Sequence, residues 1–302
     1  MRFDVVIGNP PYQLGQSGGE SVGGFAMPVY NKFVQAAKRL DPRLVVIITP
    51  SRWFAGGRGL DEYRSEMLSD HRIRTLVDFP DATEVFPGTQ IKGGVSYFVW
   101  DQAWNGACSV VTIKEGKPTS PPLDRYLDSY DVLVRRNEAI PILEKILQKI
   151  GEEGTTRLSD QVSPIQPFSL RTNFRGEDSA ANMKHPVRVV GNGGSSFIRR
   201  ENVPRNSDWV DDWKVLLGRA YGAGESSPHQ IYNIPVIAEP GTVCTETYLV
   251  IGRFVDRKSA SHCAAYLRTR FVRFLVSLRK NTQDIYNDRF LFVPNLPMNR
   301  VW

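Results

Sequence analysis

Asn9, Pro10, Pro11 and Tyr12 stand side by side after the apolar run Val5-Val6-Ile7, and their types suit one kind of chemistry. The exocyclic amine of adenine is a poor nucleophile because its lone pair is delocalised into the ring. The side-chain oxygen of Asn9 and the carbonyl oxygen of Pro10 can each accept one of its two N–H bonds. That favours a pyramidal nitrogen with its lone pair aimed at an electrophile, which is preorganisation rather than proton removal. An aromatic ring at Tyr12 can stack on a base swung out of a duplex. No acid, metal or covalent nucleophile is required.

Holding these groups calls for a strand that stops at Asn9. Val5-Val6-Ile7 reads as a central strand buried on both faces. Two prolines donate no N–H and fix φ, so the chain leaves the sheet as a stiff loop at the strand's carboxyl end, where open α/β sheets place ligands. Downstream, Val29, Phe33, Ala36, Ala37 and Leu40 recur at helical spacing behind Pro28. Leu44–Pro50 reads as a second buried strand with Ser51-Arg52-Trp53-Phe54 at its ligand end. A glycine loop (Gly56, Gly57, Gly59) leads to a helix over Leu60–Leu68, and Ile73–Phe79 reads as a third strand. This alternation predicts parallel, right-handed crossovers. Gly94–Trp100 and Cys108–Ile113 alternate in polarity and are expected to pair as a hairpin. Gly15–Gly19 fits G-x-S-x-G but lies in glycine-rich chain on both sides, so it reads as a loop and not a nucleophile elbow.

Asn-Pro-Pro-Tyr after a buried strand resembles the catalytic motif of amino-group DNA methyltransferases, which use S-adenosylmethionine to make N6-methyladenine. The run Phe3–Tyr12 looks like the version in methylases of type II restriction–modification systems that carry their own specificity domain. In such enzymes a Val-Phe-Pro segment follows a later strand, and its phenylalanine stacks on the other face of the flipped adenine. Phe86, in Val85-Phe86-Pro87, is the matching position; on pattern alone it is equally a core phenylalanine. The resemblance also implies an Asp/Glu-x-Phe-x-Gly-x-Gly loop for S-adenosylmethionine on strands before the catalytic one, and no such loop precedes Phe3. Gly191-Asn192-Gly193-Gly194 lacks the glycine spacing and reads as a turn. The cofactor-binding residues are therefore expected mostly outside this chain, in a missing N-terminal half or a partner subunit.

The 302 residues are long enough for two domains, and 41% hydrophobic with 23% charged residues is ordinary for a globular protein. Cys108, Cys244 and Cys263 lack metal or redox spacing, no apolar run approaches a membrane span, and the start is no signal peptide, so a cytoplasmic location without metal or membrane is expected. The net charge is +6, and residues 151–302 hold 20 Lys/Arg against 15 Asp/Glu. A basic half points weakly to a polyanion.

Pro118-Thr119-Ser120-Pro121-Pro122 reads as an exposed linker. Ile140, Leu143, Ile146, Leu147 and Ile150 form a helical stripe that would bridge two domains. Later strands are expected around Val187–Val190, Val215–Leu217, Val236–Ala238 and Thr247–Ile251. Ser259–Lys280 reads as one helix with Ala264, Leu267, Phe271, Phe274, Leu275 and Leu278 inward. Arg268, Arg270, Arg273, Arg279 and Lys280 then face either solvent or a phosphate backbone. This helix and its tail (Lys280–Asp284, Phe290–Pro294) resemble, more loosely, the closing segment of target-recognition domains fused to such methylases. In a domain of that kind Arg171, Asn173, Arg175, Arg199, Arg200 and Lys280 are candidates for contacting double-stranded DNA.

The expected fold class is α/β. A partial, Rossmann-like methyltransferase sheet occupies residues 1–118, a linker and bridging helix 119–150, and a mixed α/β target-recognition domain 151–302. The expected function is site-specific adenine-N6 methylation of DNA in a restriction system. The alternative is a DNA-binding specificity module that cannot methylate because the cofactor half is absent.

Overall fold

A computed structural model describes residues 3–13, 27–56, 59–221, 231–280 and 283–298. Gly15–Gly19 and Gly57 lie outside the described residues. The chain divides into two compact units, Met1–Pro141 and Ile142–Trp302.

In the first unit β1 (Val5–Gly8), α1 (Tyr30–Arg39), β2 (Leu44–Pro50), α2 (Asp61–Ser69) and β3 (Ile73–Phe79) follow the expected alternation. β4 (Val95–Asp101) and β5 (Cys108–Lys114) complete the main sheet, and β6 (Lys117–Pro118) and β7 (Leu123–Arg125) pair with β5. The strand order is β1-β2-β4-β3-β5-β6. β1 and β2 are parallel in the register Val5↔Leu44 to Gly8↔Ile47. β4 inserts between β2 and β3, antiparallel to both, with Pro50↔Val95 and Phe79↔Val95 in register. The expected hairpin of the fourth and fifth strands does not form: β5 pairs with β3 in parallel instead. Gly94 permits this entry, since at φ +80° a Cβ there would sit 2.0 Å from the Phe79 carbonyl oxygen. The Pro118–Pro122 stretch is not a linker between domains, because β6 and β7 on either side of it are zipped to β5.

Val6, Val45, Ile47, Leu76, Phe98 and Trp100 point to the face covered by α1 and α2, where Tyr30, Val34, Met67 and Leu68 close the core. α1 buries Tyr30, Val34 and Ala37, a stripe three to four residues apart, and leaves Phe33 (48% exposed) and Leu40 (50%) outside the core to which the apolar spacing assigned them. β1 departs from expectation too. It is the edge strand, with Val5 46% and Ile7 76% exposed. A β-branched run forms a strand wherever it pairs once; burial on both faces needs a second neighbour and a second helix layer.

α3 (Ile140–Glu152) starts at the last residues of the first unit and runs on as the first element of the second. The second unit holds two three-stranded sheets. In one, β10 (Trp213–Gly218) is flanked by β11 (Val236–Ala238) and β13 (Tyr248–Phe254), both antiparallel. In the other, β8 (Pro186–Gly191) pairs antiparallel with β9 (Gly194–Arg199) and parallel with β12 (Thr242–Cys244). Asn192-Gly193 is the turn of the β8–β9 hairpin, as the glycine spacing implied. A shared core of Phe168, Leu170, Val187, Val189, Leu216 and Val243 joins the two sheets.

The single helix expected over Ser259–Lys280 is two: α4 (Arg257–Arg268) and α5 (Arg270–Ser277). Thr269 breaks it. Its hydroxyl donates to the Tyr266 carbonyl (2.7 Å) and accepts from the Val272 N–H (3.2 Å), so it caps both helices while its backbone is extended. The break turns Phe271 outward (40% exposed) and Arg279 inward (1%), where the guanidinium lies 4.7 Å from the Phe292 ring centroid.

Part of the basic excess of this half is therefore internal. Lys214 is fully buried, its ammonium donating to the carbonyls of Trp209 (2.7 Å) and Asp212 (2.6 Å). Burial pulls its pKa down to about 8 from 10.5. The unfolded chain thus binds the extra proton between those values, and wild-type stability gains relative to Lys214→Met as pH rises through the window. Urea unfolding of both proteins at pH 7.5 and 10 should show that difference grow by about 1–2 kcal/mol, and a pH-independent difference would contradict it. All three cysteines are buried. No helix among the described residues is long and apolar enough to cross a membrane, and none of their His, Cys, Asp and Glu side chains group to hold a metal.

Candidate active site at one sheet edge

Because β1, β2 and β3 run parallel, their carboxyl ends share one edge, and β4 starts from that same edge. Four segments meet there: Asn9–Tyr12, Ser51–Ala55, Pro80–Phe86 and Ile91–Gly94. β1 ends at Gly8, one residue before Asn9, as the loss of a donor at Pro10 requires.

Asn9 and Pro11 are exposed, whereas Pro10 and Tyr12 are half-buried. Among the described residues no hydrogen bond occupies the Asn9 side chain or the Pro10 carbonyl, so both acceptors are available. The Tyr12 carbonyl accepts from the Val29 N–H at 3.2 Å, which ties the loop to the start of α1. The Tyr12 ring meets the Tyr30 ring edge to face, centroids 6.5 Å apart. Its hydroxyl is buried without a hydrogen-bond partner among the described residues, and burial raises its pKa. Rings continue inward from Tyr30 to Tyr63 (5.9 Å) and from Tyr63 to Trp53 (5.8 Å). Tyr12 is thus the outermost of the packed rings among the described residues.

Phe86 lies on the same edge, half-buried, after a turn that Asp81 caps by accepting from the Thr83 N–H (2.9 Å) and hydroxyl (2.7 Å). Its own N–H donates to the Ala82 carbonyl at 2.8 Å. β1 and β3 are three strand spacings apart, or ~14 Å, so the Pro80–Phe86 segment has to lean across β4 and β2 to approach Tyr12.

The edge is braced by a network that carried no sequence motif. Asp78, on β3 and wholly buried, accepts from Arg135 Nε and Nη2 (both 2.7 Å) and from the Ser51 hydroxyl (2.8 Å). The Arg135 guanidinium also lies 5.4 Å from the Phe54 ring centroid. An aspartate in the apolar run Leu76-Val77-Asp78-Phe79 was the available signal, since a carboxylate in a buried strand needs a partner.

In the second unit the six candidates fare differently. Arg171, Asn173, Arg175 and Arg199 are exposed. Glu246 secures the loop carrying the first three by accepting from the Thr172 N–H (3.0 Å) and hydroxyl (3.1 Å). An antiparallel bridge, Glu177↔Phe197, lies two residues from both Arg175 and Arg199 and brings them to the same end of the pairing. Gly176 allows it, because a Cβ there would stand 2.4 Å from the Phe197 carbonyl oxygen. Arg200 is committed elsewhere, in a two-point ion pair with Asp211 (2.6 and 2.5 Å). The Lys280 ammonium sits 5.6 Å from the Tyr221 ring centroid.

Residues 1–86 match the family described as Eco57I restriction-modification methylase. An uncharacterised adenine-specific methylase of Mycoplasma pneumoniae is 33% identical over 152 residues, which is 50% of this chain and 36% of that protein. The chain thus spans about a third of that relative. The type IIL restriction-modification enzyme MmeI, solved in complex with DNA, shares the fold over 95% of this chain and 44% of its own, with a TM-score of 0.50 at 12% identity.

Proposed function

We propose that the chain is the catalytic and target-recognising part of a restriction–modification DNA methyltransferase that acts on the N6 amine of adenine. One observation carries the reading: an uncommitted Asn9 amide and Pro10 carbonyl stand beside an aromatic ring at the carboxyl end of β1, within the residues that match the methylase family. Asn9 Oδ1 and the Pro10 oxygen accept the two amine N–H bonds and turn the nitrogen lone pair away from the ring system. Tyr12 stacks on the extruded base, and Phe86 closes its other face. The exposed loop around Arg171–Arg175, with Arg199 beside it, contacts double-stranded DNA.

S-adenosylmethionine, the methyl donor of such a reaction, does not fit the described residues. Among the described residues no Asp/Glu-x-Phe-x-Gly-x-Gly loop follows a strand at the edge that holds Asn9, and β1 ends the sheet with one side unpaired. Val5 and Ile7 are exposed there, and Leu44, Val46, Ile48, Tyr97 and Val99 on the same sheet face are only partly covered. An open, apolar edge and face of this kind are surfaces that pair with further chain. We therefore place the cofactor site on another segment or subunit that adds to β1.

Calorimetric titration of S-adenosylmethionine into the chain, with and without duplex DNA, tests this arrangement. The expected result is no heat of binding in either case. Micromolar binding would mean that these residues complete a cofactor site and would overturn the division of labour.

A further inference from the structure

Arg52 occupies a distinctive position on the same edge. It follows β2, the parallel neighbour of β1, in a register that pairs Gly8 with Ile47, so it stands on the same sheet edge as the Asn9 loop. Its side chain is exposed between two buried neighbours, Ser51 (1%) and Trp53 (0%). Ser51 is pinned on both sides: its hydroxyl donates to Asp78 (2.8 Å) and its N–H to the Gly94 carbonyl (3.0 Å). Trp53 is locked edge-on against Phe54 (4.8 Å) and belongs to the aromatic column that ends at Tyr12. The backbone that aims Arg52 therefore cannot move independently of the ring proposed to stack on the base. Its charge is close enough to Tyr30, the next ring in the column, to offset part of the effect of burial on that hydroxyl.

Two other arginines beside this turn are neutralised: Arg64 pairs with Asp61 (2.9 Å) and Arg135 with Asp78 (2.7 Å). Among the described residues Arg52 has no such partner. A rigidly based, exposed and unpaired guanidinium is suited to an external anion, and its planar fork matches a phosphate. Every nucleotide is flanked by phosphates, so a base seated beside Asn9 brings a phosphodiester to this edge.

We propose that Arg52 binds the DNA phosphodiester next to the adenine held at Asn9, as a positioning residue that fixes the extruded nucleotide. This rests on the methylation reading above. The test is anisotropy titration of a fluorescent 30-base-pair duplex whose central adenine faces an abasic site, across a range of KCl concentrations. Losing one phosphate contact should flatten the plot of log affinity against log salt by about 0.9 in Arg52→Ala, and Arg52→Lys should keep the wild-type slope. Arg39→Ala, which removes an exposed charge at the far end of α1, should also keep it. An unchanged slope in Arg52→Ala, or an equal flattening in Arg39→Ala, overturns the assignment. Wild-type protein that fails to bind the duplex overturns the DNA reading and this inference together, and it is seen before any substitution is made. Because Arg52 is exposed, its variants should unfold at the wild-type urea midpoint.

Discussion

Asn9→Ala in the complete enzyme is expected to lower the methylation rate by about 10³-fold or more, the upper range for removing one preorganised polar group at a reacting centre. Duplex binding should stay within about two-fold. Asn9 is exposed and bonds to no described residue, so its loss leaves no buried group unsatisfied and the fold should be unaffected. What disappears is one of two acceptors for the amine, and with it the bias of the nitrogen toward a pyramidal geometry. Asn9→Asp separates this account from a role for the Asn9 NH₂ group. An aspartate keeps the acceptor and should retain part of the rate, whereas a required NH₂ would leave both variants equally dead. Quantifying N6-methyladenine in single-turnover reactions, alongside anisotropy with duplex DNA, reads both effects. Full methylation by Asn9→Ala would refute the proposed chemistry.

The second large effect is on stability. Asp78→Ala is expected to destabilise the first unit by about 3–5 kcal/mol, because it strands the Arg135 guanidinium, whose side chain is only 19% exposed. Asp78→Asn should cost less, since it keeps hydrogen-bonding groups for Ser51 and Arg135. Ser51→Ala should cost about 1.5–3 kcal/mol, the usual value of one bond to a charged group. The double variant Asp78→Ala/Arg135→Ala should be less destabilised than the sum of its single variants, since each single change strands the other partner's charge and the double change strands neither. Urea midpoints followed by tryptophan fluorescence measure all five variants, the single Arg135→Ala included. Additive losses would show that the pair is not coupled. The network also matters for the site: Asp78 anchors Ser51, and Ser51 begins the turn that carries Arg52, so loosening it should raise the hydrogen exchange of Ser51–Ala55.

Much of the first unit was legible because its signals are local. The β-branched runs at Val5–Ile7, Leu44–Ile48 and Ile73–Phe79 mark strands, and Pro10-Pro11 marks a forced exit, since the missing N–H groups are properties of the residues themselves. Right-handed crossovers then bring the ends of β1, β2 and β3 to one edge. The aromatic and amide groups at Asn9–Tyr12 were readable for the same reason.

Tertiary structure decided whatever depends on partners distant in sequence. It made β1 an edge strand, because burial is conferred by neighbours and not by a residue's own hydropathy. It inserted β4 between β2 and β3 where alternation had suggested a local hairpin, and it rotated α1 so that Phe33 and Leu40 face away from the core. It split the basic helix at Thr269 and buried Arg279 and Lys214, removing them from any surface for a polyanion. It also paired Asp78 with Arg135 across 57 residues, a match that no spacing rule contains. The sequence by itself determined which groups could do chemistry and where the chain must leave the sheet. Only the tertiary structure decided which groups remain uncommitted and face outward, because pairing and burial are set by the whole surrounding chain.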